Sequence, residues 1–460
     1  MAVIVLSTRG TLGDHIPGVE LGRALLAAGH RVRLAVNGAQ RSLVERAGLE
    51  FRSIGYELGP EQARNQAWVW DQWHNPLADR AAEDFGDRAA AAELDYIRRL
   101  EDICDGADLL IASTTTANLA EMVAERQQIS WIHVSPMAMA FHEPPSRPDP
   151  VWFTAFLDRL RGDLGLSAGA EYPPLADILA SSRWFSRPHA ERRVVQTGFW
   201  FAEAPGRREF TPSPQLARFL QRSPLVLTLS SQPVTDPAHV VDLHVRAAEL
   251  LDRPLIVQRG WADLHPIGAV DPDRVQFIDS VPHSQLFPHA AAVLTHGGIG
   301  TLAAAMRVGC PIAVEPYGND QIFNAQRVRA LGIGTGIHPH RATPEKLAEI
   351  LEARVLTPQT RSRALALVTR VNAEPGLPAA VRTILDHLPT NGSRPTSDTI
   401  GKSLHLGSED TIVDVPGWTD QINDAELDPT GPYTPGPEPV TSRVDGGCAA
   451  ATLPSAYAPN

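Results

Sequence analysis

An apolar strand, Ala292–Thr295, runs into His296-Gly297-Gly298-Ile299-Gly300-Thr301, and good helix formers follow from Leu302 to Met306. A glycine turn that opens a helix gathers unpaired backbone N–H groups at the positive end of the helix dipole, and an anion suits that point. Glycines 297, 298 and 300 let a bulky phosphate approach the backbone, and Thr301 adds a hydroxyl donor. His296 can hydrogen-bond a phosphate oxygen or, when protonated, neutralise it. The stretch reads as a diphosphate cradle, although a Gly-Gly-x-Gly turn alone also makes an ordinary strand-to-helix corner.

Two further groups carry chemistry. Asn319-Asp320-Gln321 places a carboxylate beside an amide, a pair able to accept from and donate to vicinal hydroxyls. Asp320 serves equally well as a helix N-cap. Near the start, Gly13-Asp14-His15-Ile16-Pro17 sets two proton acceptors side by side. Neighbouring side chains diverge, so one faces a cleft while the other packs or is solvated. A carboxylate there takes a proton from a hydroxyl if the site is dry enough to raise its pKa. The competing role for Asp14 is to cap the following helix.

These residues need a scaffold. Buried strands are expected at 2–7, 31–36, 108–112, 130–134, 225–229, 254–258, 275–278, 292–295 and 311–314, with helices at 17–28, 118–127 and 239–251. Strand and helix alternate in two series, which predicts an α/β fold of two doubly wound, Rossmann-like domains with a cleft between them. The expected boundaries are 1–205 for the first domain, 206–220 for a Pro- and Gly-bearing linker and 221–388 for the second. Residues 389–460, rich in Pro, Gly, Ser, Thr and Asp, are expected to form a disordered tail.

The chain has 460 residues and a net charge of −12, its only lysines are Lys346 and Lys402, and no cationic stripe suggests nucleic acid. Cys104, Cys310 and Cys448 are few and widely spaced, which fits reduced thiols and offers neither a disulfide framework nor a zinc spacing. No run of about 20 apolar residues occurs, so no membrane-spanning segment is expected and the reading is cytoplasmic. Oligomeric state stays open.

With two Rossmann-like halves, Thr8-Arg-Gly-Thr-Leu-Gly-Asp-His-Ile-Pro17 after the first strand, Gly260-Trp261, Val281-Pro282-His283 and the segment from His296 to Gln321, the chain resembles the GT-B glycosyltransferases. It looks most like the family 1 nucleotide-sugar transferases, including bacterial enzymes that glycosylate antibiotics and sterols, over about residues 1–388. The resemblance implies a GT-B fold in which His296, Gly297, Gly298, Gly300 and Thr301 hold the donor diphosphate. Asn319, Asp320 and Gln321 would meet the donor sugar, Val281 the nucleobase, and Ser230 and Ser231 the phosphates. Asp14 falls at the position of the catalytic base, where other members carry His, so His15 stays the alternative. The Asp that many members place after the strand at 108–112 is replaced here by Ser113-Thr-Thr-Thr116, which puts a two-residue relay in doubt.

The implied reaction is inverting transfer of a hexose from a UDP- or dTDP-sugar to a hydroxyl of a lipophilic small molecule. Trp68, Trp70 and Trp73, with Met137, Met139 and Phe141, supply large apolar groups for such an acceptor, or else cover the core beneath a loop. No cofactor or metal is expected, because Asp271-Pro-Asp273 reads as a turn rather than a metal-binding pair. Two rivals share the scaffold: a nucleotide-sugar 2-epimerase, which needs no acceptor pocket, and a non-catalytic GT-B auxiliary protein.

Overall fold

The computed structural model describes residues 1–71, 86–146, 149, 151–201 and 210–388. Met1–Leu388 falls within one compact unit. Trp73 and the expected tail 389–460 lie outside the described residues.

Thirteen short strands build two wholly parallel sheets among the described residues. The first contains β1 Val3–Ser7, β2 Arg31–Val36, β3 Glu50–Ser53, β4 Leu109–Ser113, β5 Ser130–Ser135, β6 Asp177–Leu179 and β7 Val194–Gln196, in the order β3-β2-β1-β4-β5-β6-β7. The second contains β8 Leu225–Thr228, β9 Leu255–Gln258, β10 Val275–Ile278, β11 Ala292–Thr295, β12 Ile312–Val314 and β13 Gly334–Gly336, in the order β10-β9-β8-β11-β12-β13. Both orders reverse direction once, between β1 and β4 and between β8 and β11. In open parallel sheets the crevice outside the carboxyl ends of the strands at such a switch is where ligands bind.

Continuous apolar runs such as Val3-Ile-Val-Leu6 are buried on both faces because helices cover both sides. On one face of the first sheet Leu21 and Leu25 of helix Leu12–Ala27 pack with Ile4, Leu6 and Ile111. On the other, Ile97 and Leu100 of helix Asp87–Cys104 and Leu119 and Val123 of helix Ala117–Gln127 pack with Val5 and Leu110.

The structure departs from the expected boundaries in two places. Pro214–Leu220, inside the expected linker, is a helix whose Leu216, Phe219 and Leu220 are buried in the core of the second sheet. Its proline is not a breaker, because Pro214 occupies the first helical turn, where the missing N–H costs nothing. At the other end, helix Leu377–Asp386 returns to the first sheet, where Ala380 and Ile384 join the Ile4–Leu6 core. The chain therefore crosses between the halves twice. Strands β3, β6, β7 and β13, which lie toward the edges of the two sheets, fall outside the expected set.

Candidate active site

The first sheet delivers its chemistry at the end of β1. Helix Leu12–Ala27 starts five residues earlier than the expected Pro17, and Pro17 lies inside it. A capping box sets this start: Thr11 N and Thr11 Oγ1 donate to Asp14 Oδ2 at 2.7 and 3.2 Å. Asp14 is thus the N3 partner of the Thr11 N-cap in this box, and its carboxylate is also perturbed. Burial pushes it up to about 6 and the negative charge of Asp320 adds to the rise, while the Thr11 hydrogen bonds oppose it. Gly10 stands at φ +132°, and a β-carbon there would collide with the Asp14 carboxylate.

His15 goes the other way. It is fully buried, Nε2 pairs with the Gly10 carbonyl at 3.1 Å, and Nδ1 has no partner. Burial pushes it down to about 4, so the ring is neutral and Nε2–H is the donor. Asn37 Nδ2 donates to the same carbonyl at 2.7 Å. Of the two adjacent candidates, Asp14 alone retains exposure.

The second sheet delivers its chemistry at the ends of β8 and β11, which are paired neighbours at the switch point. Helix Ile299–Val308 begins at Gly298, and among the described residues no main-chain acceptor meets the N–H groups of Ile299 and Gly300. A β-carbon on Gly300 would meet open space, whereas one on Gly298 would strike the His296 ring and one on Gly297, at φ +95°, would strike Val314. The glycines thus serve close packing of the imidazole as well as an open approach. Burial pushes His296 down to about 3, with His283 adding to the fall, so the free protein holds a neutral ring rather than an imidazolium. Ser230, at φ +50°, shares a hydrogen bond with Thr301 Oγ1 at 3.2 Å and is anchored through its carbonyl by Trp261 N at 2.8 Å.

Asp320 begins helix Gln321–Ala330 without capping it through its side chain. Burial pushes its carboxyl up to about 6, opposed by Asn324. Asn324 was missed by sequence reasoning. It is fully buried, and its Nδ2 donates at 2.9 Å both to Asp320 Oδ2 and to the Gly297 carbonyl, tying the glycine turn to the carboxylate. The Asp320–Asn324 spacing of four on one helix face was the available signal. Gln321 is turned inward: Oε1 accepts from Tyr317 N at 2.8 Å, and Nε2 donates to Gln232 Oε1 at 2.9 Å. In the free protein this amide is spent on its own loop and on the one that follows β8. Asn319 stands at φ +53°, a conformation asparagine tolerates, and the buried Val281 accepts at its carbonyl from Gln258 Nε2 at 3.2 Å.

The two mouths meet. Ser231 Oγ donates to Thr11 Oγ1 at 3.0 Å, and Arg64 Nη1 donates to the Trp261 carbonyl at 3.1 Å. Asp14, Ser230, Ser231, His296, Thr301 and Asp320 therefore cluster along one crevice. The expected acceptor residues are more scattered. Trp68 is 43% exposed, Met137 is half-buried, and Met139 and Phe141 are buried in the short helix Ala138–Phe141, where the Phe141 ring lies 5.2 Å from His133. Trp70 carries a buried Nε1 with no hydrogen-bond partner among the described residues. Asp271 Oδ1 accepts from Asp273 N at 2.9 Å, the geometry of a turn. Among the described residues no three His, Cys, Asp or Glu side chains are grouped to hold a metal ion, and no helix is long and apolar enough to cross a membrane.

Comparison with known proteins gives matches along the chain. Residues 245–388 match the erythromycin biosynthesis protein CIII-like C-terminal domain, and residues 4–86 match the glycosyltransferase family 28 N-terminal domain. O-mycaminosyltylonolide 6-deoxyallosyltransferase of Streptomyces fradiae is 30% identical over 420 residues, which cover 81% of this chain and 94% of that protein. A sterol 3-beta-glucosyltransferase of Arabidopsis thaliana is 26% identical over 467 residues, 91% of this chain and 72% of its own. Among solved structures, a spinosyn rhamnosyltransferase complexed with spinosyn aglycone superposes with a TM-score of 0.63 at 20% identity, covering 84% of this chain and 100% of that one.

Proposed function

Because this chain belongs to the GT-B glycosyltransferases of the antibiotic and sterol type, we propose that it moves a hexose from a UDP- or dTDP-sugar to a hydroxyl of a lipophilic acceptor, with inversion. The observation that carries this reading is the pair of opposed mouths: a half-buried carboxylate raised to about 6 on the first sheet and an amide-rich helix start beside a buried neutral imidazole on the second.

A nucleotide diphosphate is already a good leaving group, so the protein has two tasks. One is to stabilise charge growing on the diphosphate. The N–H groups of Ile299 and Gly300, the Thr301 hydroxyl and His296 do this with fixed dipoles that need no reorganisation. An arriving dianion also favours the protonated imidazole, so donor binding raises the His296 pKa from its low value in the free protein. The other task is to remove the proton of the attacking hydroxyl. Thr11 fills Oδ2 of Asp14, which leaves Oδ1 to receive it. A base near 6 is still ionised at neutral pH and is stronger than an ordinary aspartate. Displacement from the face opposite the leaving group then inverts the anomeric carbon. Asp320, whose charge is felt by Asp14, is the carboxylate assigned here to the hydroxyls of the donor sugar.

The S. fradiae relative is named for O-mycaminosyltylonolide and the A. thaliana relative for sterols, which supports a ring-bearing alcohol as the acceptor here. The test is a thermal-shift screen of UDP- and dTDP-sugars, followed by acceptor libraries with the donor that binds. Release of nucleoside diphosphate together with a glycosylated acceptor is expected. Conversion of UDP-GlcNAc to its 2-epimer without any acceptor would overturn the reading.

A further inference from the structure

The steps above leave one hydrogen-bonded chain in the first half unused. His133 on β5 and Asp177 at the start of β6 are register partners, so their side chains share a face of the sheet. His133 Nδ1 meets Asp177 Oδ1 at 2.9 Å, and His133 Nε2 meets Thr114 Oγ1 at 3.1 Å. Thr114 follows β4, at the place where the sequence lacks the family's second carboxylate.

With the His133 ring in its neutral form, valence sets the donor and acceptor roles along this chain. A carboxylate can only accept, so Asp177 fixes the proton of the neutral ring on Nδ1, and Nε2 is left with a lone pair. Thr114 must then turn its O–H toward His133. Its oxygen is left with lone pairs directed away from the ring, and Thr114 retains solvent exposure. A hydroxyl locked in this way accepts a hydrogen bond from a visiting group and cannot donate one. The buried Phe141 ring backs His133, with the ring centroids 5.2 Å apart. The neighbouring Thr115 Oγ1 accepts from Arg9 N at 3.4 Å, and Thr116 Oγ1 donates to the Ser7 carbonyl at 3.0 Å, so this loop is stitched to the end of β1 and the turn that leads into the helix bearing Asp14.

We propose that Thr114 is a specificity-determining contact for the acceptor: its Oγ1 takes a hydrogen bond from an O–H or N–H of a ring-bearing acceptor, while His133 and Asp177 act as positioning residues that fix the polarity of that contact. The inference rests on the transferase reading and names a feature of its acceptor, a hydrogen-bond donor remote from the hydroxyl that is glycosylated.

The probes are estradiol and estrone, which share one phenol and differ by a hydroxyl or a ketone at the far end. Binding and transfer are measured for both with the full chain, alongside donor KM. The wild type is expected to favour estradiol. Thr114→Val should raise its Kd and KM roughly tenfold, as loss of one hydrogen bond to a buried partner does, with donor KM unchanged, and Thr114→Ser should restore both. Asp177→Asn can donate to Nδ1, which moves the ring proton to Nε2, reverses the Thr114 hydroxyl and shifts preference toward estrone. A merely structural role does not reverse a preference. Equal or absent binding of the two steroids by the wild type, or variants that leave their ratio unmoved, would overturn the inference. Failure of the transferase reading shows separately, as loss of nucleotide-sugar binding by the wild type.

Discussion

The mouths of the two sheets are built alike and biased oppositely. Each has a strand, a turn with a positive-φ glycine and a helix start, and each holds one aspartate and one histidine whose ordinary charge is suppressed by burial. In the first mouth the carboxylate keeps exposure and the imidazole is sealed; in the second an open glycine and unfilled amides lie beside the imidazole. The difference teaches that the fold supplies the same dry, dipolar corner twice, and that side-chain placement decides whether the corner receives a proton or an anion.

The sharpest way to break this comparison is to neutralise the proposed base. Asp14→Asn keeps the shape of the cap and removes the proton acceptor, and kcat should fall on the order of 10³-fold with nucleotide-sugar affinity retained. Donor titration by calorimetry beside steady-state transfer checks both halves of that statement. Next in size is His296→Ala in the opposite mouth. It should weaken nucleotide diphosphate binding and slow transfer by about 10²-fold, the effect of removing one preorganised donor. Unchanged affinity would take His296 out of the cradle and leave the amides to act alone.

A smaller effect is expected from His15→Gln, because this ring is sealed and its one contact is the Gly10 carbonyl, which glutamine can also serve. Transfer should stay within about threefold of wild type, whereas a loss like that of Asp14→Asn would move the base to His15. Stability gives a second reading of the same variant. The pKa of His15 is lowered in the folded state, so its contribution is complete above the unfolded value near 6.5 and is lost as pH falls through about 4. The variant should therefore lose less Tm than wild type between those limits.

How much of this was legible in the sequence follows from range. Nine of the thirteen strands, the two-sheet architecture and the turn from His296 to Thr301 are local patterns of period and glycine placement, and they read directly. The start of the first helix did not, because Pro17 looked like a first-turn proline while the capping box from Thr11 to Asp14 begins the helix earlier. Neither did the return of Leu377–Asp386 to the first sheet, since an apolar helix face does not say which core it joins. At the site, residue types pointed to Asp14, His296 and Asp320. The inward turn of Gln321, the bridging role of Asn324 and the sealing of His15 depend on contacts from distant segments or on small rotations that no spacing encodes.

The smallest expected displacement is also the most specific test of whether the two mouths work as one site. Transfer needs the ionised form of Asp14, so kcat/KM for the acceptor at saturating donor should be flat at neutral pH and fall in acid, with a midpoint at about 6 or above once the diphosphate adds its own negative charge. Part of that elevation comes from Asp320 across the crevice, and part of its restraint comes from the Thr11 hydroxyl. Removing each should therefore move the limb in opposite directions. Asp320→Asn takes away a negative neighbour and shifts the midpoint toward acid, whatever it does to the rate through the sugar. Thr11→Val takes away a donor to the carboxylate and shifts the midpoint toward neutrality. A change in donor handling alone would scale the whole profile without sliding it. If both variants leave the midpoint where it is, Asp14 does not sense the opposite mouth, and the acid limb belongs to another group.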